Sequence, residues 1–509
     1  MAKYLYGAAI QGIQSYIFQT NRLMEIVGAS ELIEQICKSK FMEIVGAKYS
    51  EYEESNGYGA ILHAAGNIKY VFNDEEECRR IVRVFPKRIS EFAPGITVSQ
   101  AVVVMVDKYA TFPAAVNELE KRLRTQRNKP MRTATLGLMG IERCRQTGLP
   151  GVEKKSNHDE TTVIDAATKA KLSMLRHADE LEYELTKSLC NTAFGLKCIN
   201  PRQVAYDIEK ITCNNDWIAV IHADGNGLGQ IVQAIGKDPN RFHEFSASLD
   251  KATKAAAVTA YNAVKCYFNE SEFIPIRPVV LGGDDFTVIC QAGIALDYVG
   301  AFISAFEDET NKLNLKGLSF DHLTACAGVT FIKSSFPFYY GYELAEALCS
   351  RAKKEAKKDL NDGELPKSCL MFHKVQDSFT ENWDDIVKRE LTPQENISFE
   401  FGPYYIKEVK EQRRWLLKDL INASKQLDSK EGNAVKSHLR KWMSLLHDNP
   451  EMAKQHLDRL KSLLNRGDLL NLVEKVTKGE CLSDNSIVYP VYDILALHTI
   501  NSQITKKKK

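Results

Sequence analysis

Val279-Val280-Leu281-Gly282-Gly283-Asp284-Asp285-Phe286-Thr287-Val288-Ile289-Cys290 decides the reading of this chain. Two apolar runs flank a four-residue polar tip, the pattern of a tight hairpin between two buried strands. The paired glycines permit a sharp turn and close approach of a bulky ligand. Two adjacent carboxylates at such a tip are costly to hold without a cation. The stretch therefore points to a site for Mg²⁺ and a nucleoside triphosphate.

A third acid lies upstream. Trp217-Ile218-Ala219-Val220-Ile221-His222-Ala223-Asp224 reads as a buried strand ending in a carboxylate. Gly225-Asn226-Gly227-Leu228-Gly229 follows, and a helical pattern begins at Gln230. Strand, glycine turn and helix start form a phosphate cradle, because unpaired backbone N–H groups point outward there. If this strand lies beside the hairpin, Asp224, Asp284 and Asp285 converge. Three carboxylates with one open side suit Mg²⁺ bound partly through substrate phosphates. Two such ions would activate an attacking hydroxyl and stabilise departing pyrophosphate.

Working outward, the order strand, helices, hairpin, helix, strand, helix runs from 217 to about 358. The same β-α-β-β-α-β order occurs near the N-terminus. It comprises a strand from residue 4, a helical face through Leu23, Ile26, Val27, Leu32, Ile33 and Ile36, a hairpin over 58–72, a helix over 74–91 and a strand over 96–106. The chain thus reads as a degenerate duplication. Ala64-Ala65-Gly66-Asn67 stands in the first copy where Gly282-Gly283-Asp284-Asp285 stands in the second, so at most one copy, the second, is expected to do metal chemistry.

The fold class predicted is α+β, with two ferredoxin-like domains forming a pseudo-dimer. The divisions expected are 1–110, a helical linking region 111–215, 216–379, and an all-helical C-terminal domain 380–509. The basic run Lys121-Arg122-Leu123-Arg124-Thr125-Gln126-Arg127-Asn128-Lys129 reads as a solvated helix face in preference to an RNA contact.

Composition narrows the function classes. The 509 residues exceed one core and suit about three or four domains. A formal net charge of +1 excludes a general basic field for long nucleic acid. No apolar run approaches the roughly 20 residues of a membrane span. Twelve cysteines without a CxxC fit reduced thiols of the cytoplasm. The spacing of Cys190, Cys198 and Cys213 fits no usual zinc pattern. His222 reads as a packed core residue.

Three motifs together carry a resemblance. Gly12-Ile13-Gln14-Ser15-Tyr16-Ile17-Phe18 with Glu25-Ile26-Val27-Gly28-Ala29-Ser30 is the first. Asp224–Gly229 with the Gly282–Asp285 hairpin is the second. Ala345-Glu346-Ala347-Leu348-Cys349-Ser350-Arg351-Ala352-Lys353 is the third, and it is also similar to the phosphate-binding helix of GGDEF diguanylate cyclases. The chain resembles the polymerase-cyclase large subunit of type III CRISPR effector complexes, whose two palm domains include one with a GGDD hairpin.

The resemblance implies synthesis of 3′–5′ linked oligonucleotides, usually cyclic oligoadenylates, from ATP. It implies two Mg²⁺ or Mn²⁺ ions on Asp224, Asp284, Asp285 and the Gly225 carbonyl, with Lys353 meeting the triphosphate. The acceptor nucleotide would lie across the pseudo-dimer cleft near Ser30 and Asn67. Asn226 departs from the family's frequent second acid. The family's N-terminal HD nuclease is not expected, and Asn157-His158-Asp159-Glu160 does not replace it. A stand-alone relative in antiviral defence is the reading this implies, with an activator or effector protein left open.

Two other readings compete. A silent nucleotide- or RNA-binding scaffold would gain little from three clustered carboxylates. A dinucleotide enzyme is suggested by Gly225-x-Gly227-x-Gly229 after a strand, but the third glycine comes one residue early and the hairpin is left unexplained.

Overall fold

The computed structural model describes residues 2–53, 55–64, 66–129, 140–157, 160–176, 189–197, 199–200, 203–212, 216–235, 238–268, 273–313, 320–358, 360, 364–377, 382–408, 414–427, 429–464, 467–482 and 486–505. Cys198, Cys213, His158, Asp159 and the tail from Lys506 lie outside them.

Both predicted duplicates form. In the first, strands Tyr4–Gln11, Gly59–Ala64, Asn67–Phe72 and Thr97–Val104 make an antiparallel sheet with the second and third strands on one side of the first and the fourth on the other. Helix Glu75–Phe92 opens at Asp74, whose carboxylate accepts from the Glu76 N–H. In the second, Trp217–Gly225, Ile276–Gly282, Asp285–Gln291 and Ala325–Lys333 take the same relative order.

The second sheet then grows beyond the duplicate. Helix Phe338–Ala356 carries the chain over to Cys369–Lys374, which pairs in parallel with Ala325–Lys333, and Tyr404–Tyr405 closes that edge. These two strands were not expected from the sequence.

The stretch Trp217–Ile221 of the strand Trp217–Gly225 is apolar without a break because both its faces are covered. Ala219, Ile221 and Ala223 join the core beneath helices Pro239–Val264 and Ala295–Thr310, where Phe286 stacks on Phe302 at 3.8 Å. Ile218 and Val220 join a core shared with the first domain. The two-residue period of a strand therefore puts His222 and Asp224 on the face that looks toward the first domain.

The domains are pinned there by polar and aromatic contacts. Phe18 stacks on Tyr342 at 4.5 Å, the Phe338 N–H donates to Asn21 Oδ1 at 3.2 Å, and Ser30 Oγ donates to the Val279 carbonyl.

Two regions depart from expectation. The linking region, expected to be helical, holds helices Phe112–Arg127 and Ala166–Arg176 but also an antiparallel hairpin, Gly151–Asn157 with Glu160–Asp165. The C-terminal region is helical in bulk, through Leu417–Gln426, Lys430–Asp448, Pro450–Leu463, Asp468–Val476 and Val491–Thr505. It adds a small sheet of Ile397–Ser398, Glu480–Cys481 and Ile487–Val488 to the all-helical pattern expected.

Candidate active site

Antiparallel pairing sets Asp224 directly opposite Asp285, and Asp285 opposite Gly282 across the hairpin. Asp284 sits in the turn, made possible by Gly283 at φ +63°, a left-handed conformation that side chains resist. The Gly283 carbonyl accepts from Thr253 Oγ1 of the long helix below, which anchors the tip. The three acids predicted from the sequence are therefore brought together by strand register.

Their electrostatics are crowded. Burial above all, then the charge of Asp224 and a hydrogen bond to it, then Asp285, push Asp284 up to about 7. Burial and Asp224 push Asp285 up to about 6, with Lys353 pulling the other way. Glu346 is also raised, by burial and then by Glu343 and Asp224.

Lys353 reaches this cluster from helix Phe338–Ala356. Its ammonium contacts the Asp224 carboxylate and, at 3.1 Å, the Gly225 carbonyl. Burial works against the charged ammonium, but the attraction of Asp224 outweighs it and the pKa is raised. The helix can come this close because Gly328 lies beneath it. A Cβ there would stand 1.9 Å from the Ala345 carbonyl oxygen.

The ammonium thus bridges two of the oxygens expected to ligate a metal. It marks a cation position lined by hard oxygen donors, which fit Mg²⁺ or Mn²⁺ chemically. As the side chains stand, no group of three His, Cys, Asp or Glu among the described residues is arranged around one ion position. Asp224, with its side chain 36% exposed, keeps the cluster open to solvent.

The remaining predicted residues divide. Gly227, at φ +92°, makes the turn, and its carbonyl accepts from Gln230 and Ile231 at the start of helix Leu228–Ile235. Leu228 is half-buried and Gly229 exposed. The first N–H groups of such a helix lack partners within it. Gly282 borders open space.

Asn226 is buried. Its amide is spent on Thr324 Oγ1 at 3.1 Å and Cys326 Sγ at 3.4 Å, so it braces the strand end instead of lining the cluster. Ser30 is likewise buried, and its hydroxyl is committed to Val279. It lines a cavity of about 110 Å³ between the domains, together with Gly66, His222, Gly282, Asp285 and Tyr342. That volume is below the roughly 300 Å³ of a small-ligand pocket. Asn67 pairs with Ala9 at the first hairpin and is not among the residues on the cavity wall.

His222 donates to or accepts from Thr287 Oγ1 at 3.2 Å, and burial lowers it to about 4, consistent with a packed neutral ring. Glu346 was not singled out as a site residue. Its separation of seven from Lys353, two helical turns on one face, is the signal that would have found it.

Residues 217–361 match the family model of the Cas10/Cmr2 second palm domain. No curated protein matches the chain. Among solved structures, a Csm1–Csm4 cassette in complex with cA4 aligns at TM-score 0.57 and 13% identity, covering 99% of this chain and 70% of that one. A Csm1–Csm4 cassette in complex with AMPPNP aligns at 0.54 and 14%, covering 99% and 69%. The Csm1–Csm4 subcomplex of a type III-A CRISPR-Csm interference complex aligns at 0.54 and 13%, covering 99% and 70%. At such identities the likeness is one of fold. Motifs, strand order and these likenesses agree: this is a Cas10-like palm-domain protein whose second palm holds the carboxylate cluster.

Proposed function

We propose that the chain is a metal-dependent nucleotidyltransferase that joins nucleoside triphosphates into short cyclic or linear oligonucleotides, acting in antiviral defence. The observation that carries this is that strand register brings Asp224, Asp284 and Asp285 together beside the hairpin tip, with the Lys353 ammonium on Asp224 and the Gly225 carbonyl. Solved relatives in fold that hold AMPPNP, pppApA or one ATP support a nucleotide substrate.

In this reading Asp224, Asp284, Asp285 and the Gly225 carbonyl hold Mg²⁺ or Mn²⁺. When bound, the metal supplies charge neutralisation at the phosphates and acidifies the attacking hydroxyl. A 3′-hydroxyl oxygen forms a bond to the α-phosphorus of a second triphosphate. The bond to pyrophosphate breaks, and the hydroxyl proton passes to solvent. Lys353 then exchanges Asp224 for the triphosphate, which keeps an ammonium beside developing negative charge. The glycines of the tip and of the 225–229 turn leave room for phosphates. The 110 Å³ cavity demands that the nucleotides lie mainly on the open side of the cluster or that the palms part.

A second reading, a silent nucleotide sensor, is favoured by the Lys353–Asp224 ion pair and by the buried amide of Asn226. One experiment separates them. Labelled nucleoside triphosphates are incubated with the protein and Mg²⁺ or Mn²⁺, beside the Asp284→Asn/Asp285→Asn variant, and products are read by mass spectrometry. A phosphodiester-linked product absent from the variant is expected. Nucleotide binding without product in either protein, with every metal and base tried, would favour the sensor.

A further inference from the structure

A second cavity, of about 740 Å³, opens on the other side of the second palm, where helices Lys430–Asp448 and Val491–Thr505 close against strand Cys369–Lys374. Its wall includes three cations, Lys374, Arg440 and Arg389, two carboxylates, Glu390 and Asp448, and the Tyr492 ring. Arg389 is ion-paired with Glu390 at 2.8 Å. Lys374 is different: it is only 8% exposed, and among the described residues no carboxylate lies within ion-pair distance of it. Its ammonium sits over the Trp217 ring at 4.7 Å. Burial above all, and then the like charges of Arg440 and Lys333, lower its pKa. Arg440 is exposed and likewise has no carboxylate partner among the described residues.

A cation–π contact offsets only part of the cost of burying an ammonium beside other cations. Glu390 is taken up by Arg389 and Asp448 lies against His447, so the term missing at Lys374 and Arg440 is an anion. Lys374 presents a point charge and Arg440 a planar fork, a pairing suited to phosphate oxygens. The volume falls in the range of small-ligand pockets.

We propose that this cavity binds a phosphate-bearing ligand of nucleotide size, held by Lys374 and Arg440. The site is separate from the carboxylate cluster. Trp217 and Asp224 are seven residues apart on one strand, about 23 Å. The proposal does not rest on the nucleotidyltransferase reading.

Calorimetric titration of the full chain with inorganic pyrophosphate, and separately with ADP, both in EDTA, tests it. Saturable binding is expected, weakened at least tenfold by Lys374→Met and by Arg440→Gln, and kept by Lys374→Arg. Tighter binding of ADP than of pyrophosphate would assign a nucleotide; equal binding would assign phosphate alone. If Lys374→Met does not fold, the exposed Arg440→Gln still reads the site. The proposal is overturned if neither probe binds at millimolar concentration, or if binding is the same in the charge-removing variants. It is also overturned if those variants raise the melting temperature and no probe changes it, since the cations would then be a mere local strain.

Discussion

The two palms share a frame and differ at its tip. Asn67 stands opposite Ala9 in the first, and Asp285 stands opposite Asp224 in the second. Each pair occupies the same place in its sheet, next to the same kind of hairpin. Ala9 is 1% exposed and packed, whereas Asp224 is partly open and has Lys353 beside it. Identical backbone topology therefore packs an alanine at this place in one palm and holds an acid in the other, where the acid has both a solvent face and a cation to answer it. The first palm instead supplies a wall, an apolar core shared with its partner and the Ser30 pin.

The sharpest way to break this comparison is to move acids out of one palm and into the other. Asp284→Asn/Asp285→Asn should lower nucleotide joining at least about 100-fold, because charge stabilisation of that order resides in single positioned groups. Asn67→Ala should change it far less. The check is product yield by mass spectrometry with melting curves run beside it. The reverse transfer, Ala9→Asp, should destabilise the chain by about 3 kcal/mol, since the new carboxylate is buried without a partner. Chemical denaturation measures this, and an unchanged midpoint would show that the first tip is more open than described.

Packing sharpens the contrast at a smaller scale. Gly28 of the first palm and Gly328 of the second each face a carbonyl oxygen 1.9 Å from where a Cβ would stand, Lys171 and Ala345 respectively. Alanine should cost about 2 kcal/mol at either position, by forcing two helices apart at Gly28 and by pushing helix Phe338–Ala356 off its strand at Gly328. Only Gly328→Ala should also impair nucleotide joining, because it displaces the helix bearing Lys353. Equal losses of activity would erase the distinction between wall and site.

Titration comes next. Asp284 and Asp285 are raised to about 7 and about 6, so the folded metal-free protein holds protons that the unfolded chain releases near 4. Their contribution to stability is full below about pH 4 and is lost as pH rises toward 7, by roughly 4 kcal/mol between pH 5 and 7. Asp493, buried and also raised to about 7, titrates in the same window. The informative quantity is therefore the difference from Asp284→Asn/Asp285→Asn, whose slope should be shallower. Millimolar Mg²⁺ should flatten the unmutated curve. Smallest of all, Ser30→Ala should cost about 1 kcal/mol, the worth of one buried hydrogen bond between the palms. It should leave nucleotide binding intact if Ser30 is a pin and weaken it if the hydroxyl meets an acceptor nucleotide.

Legibility in the sequence followed physical signal strength. The central strand and hairpin are long apolar runs broken by glycine and acid, so their type, neighbours and converging carboxylates could be read directly. Strand Cys369–Lys374 is a short apolar run of a kind that periodicity cannot separate from a buried helix segment. The hairpin 151–165 was hidden because Glu153-Lys154-Lys155-Ser156 has no apolar alternation. Lys353 lies in Arg351-Ala352-Lys353-Lys354-Glu355-Ala356-Lys357-Lys358, which by charge alone reads as a solvated helix face, and only the resemblance to a phosphate-binding helix distinguishes it. Ser30 and Asn226 show a different limit. Residue type announces a hydrogen-bonding group, but whether that group is already spent on Val279, Thr324 or Cys326 depends on contacts as distant as 249 residues along the chain.

The seam held by Phe18 with Tyr342, Ser30 with Val279 and Asn21 with Phe338 joins two halves of one polypeptide. Their meeting is unimolecular, with an effective concentration set by the tether and not by how much protein is present. Dilution cannot separate wall from site, and each half is free to diverge without preserving a self-complementary surface. A symmetric dimer of identical palms would have to place acids on both sides of its cleft; a tethered pair can dedicate one side to chemistry and the other to fit.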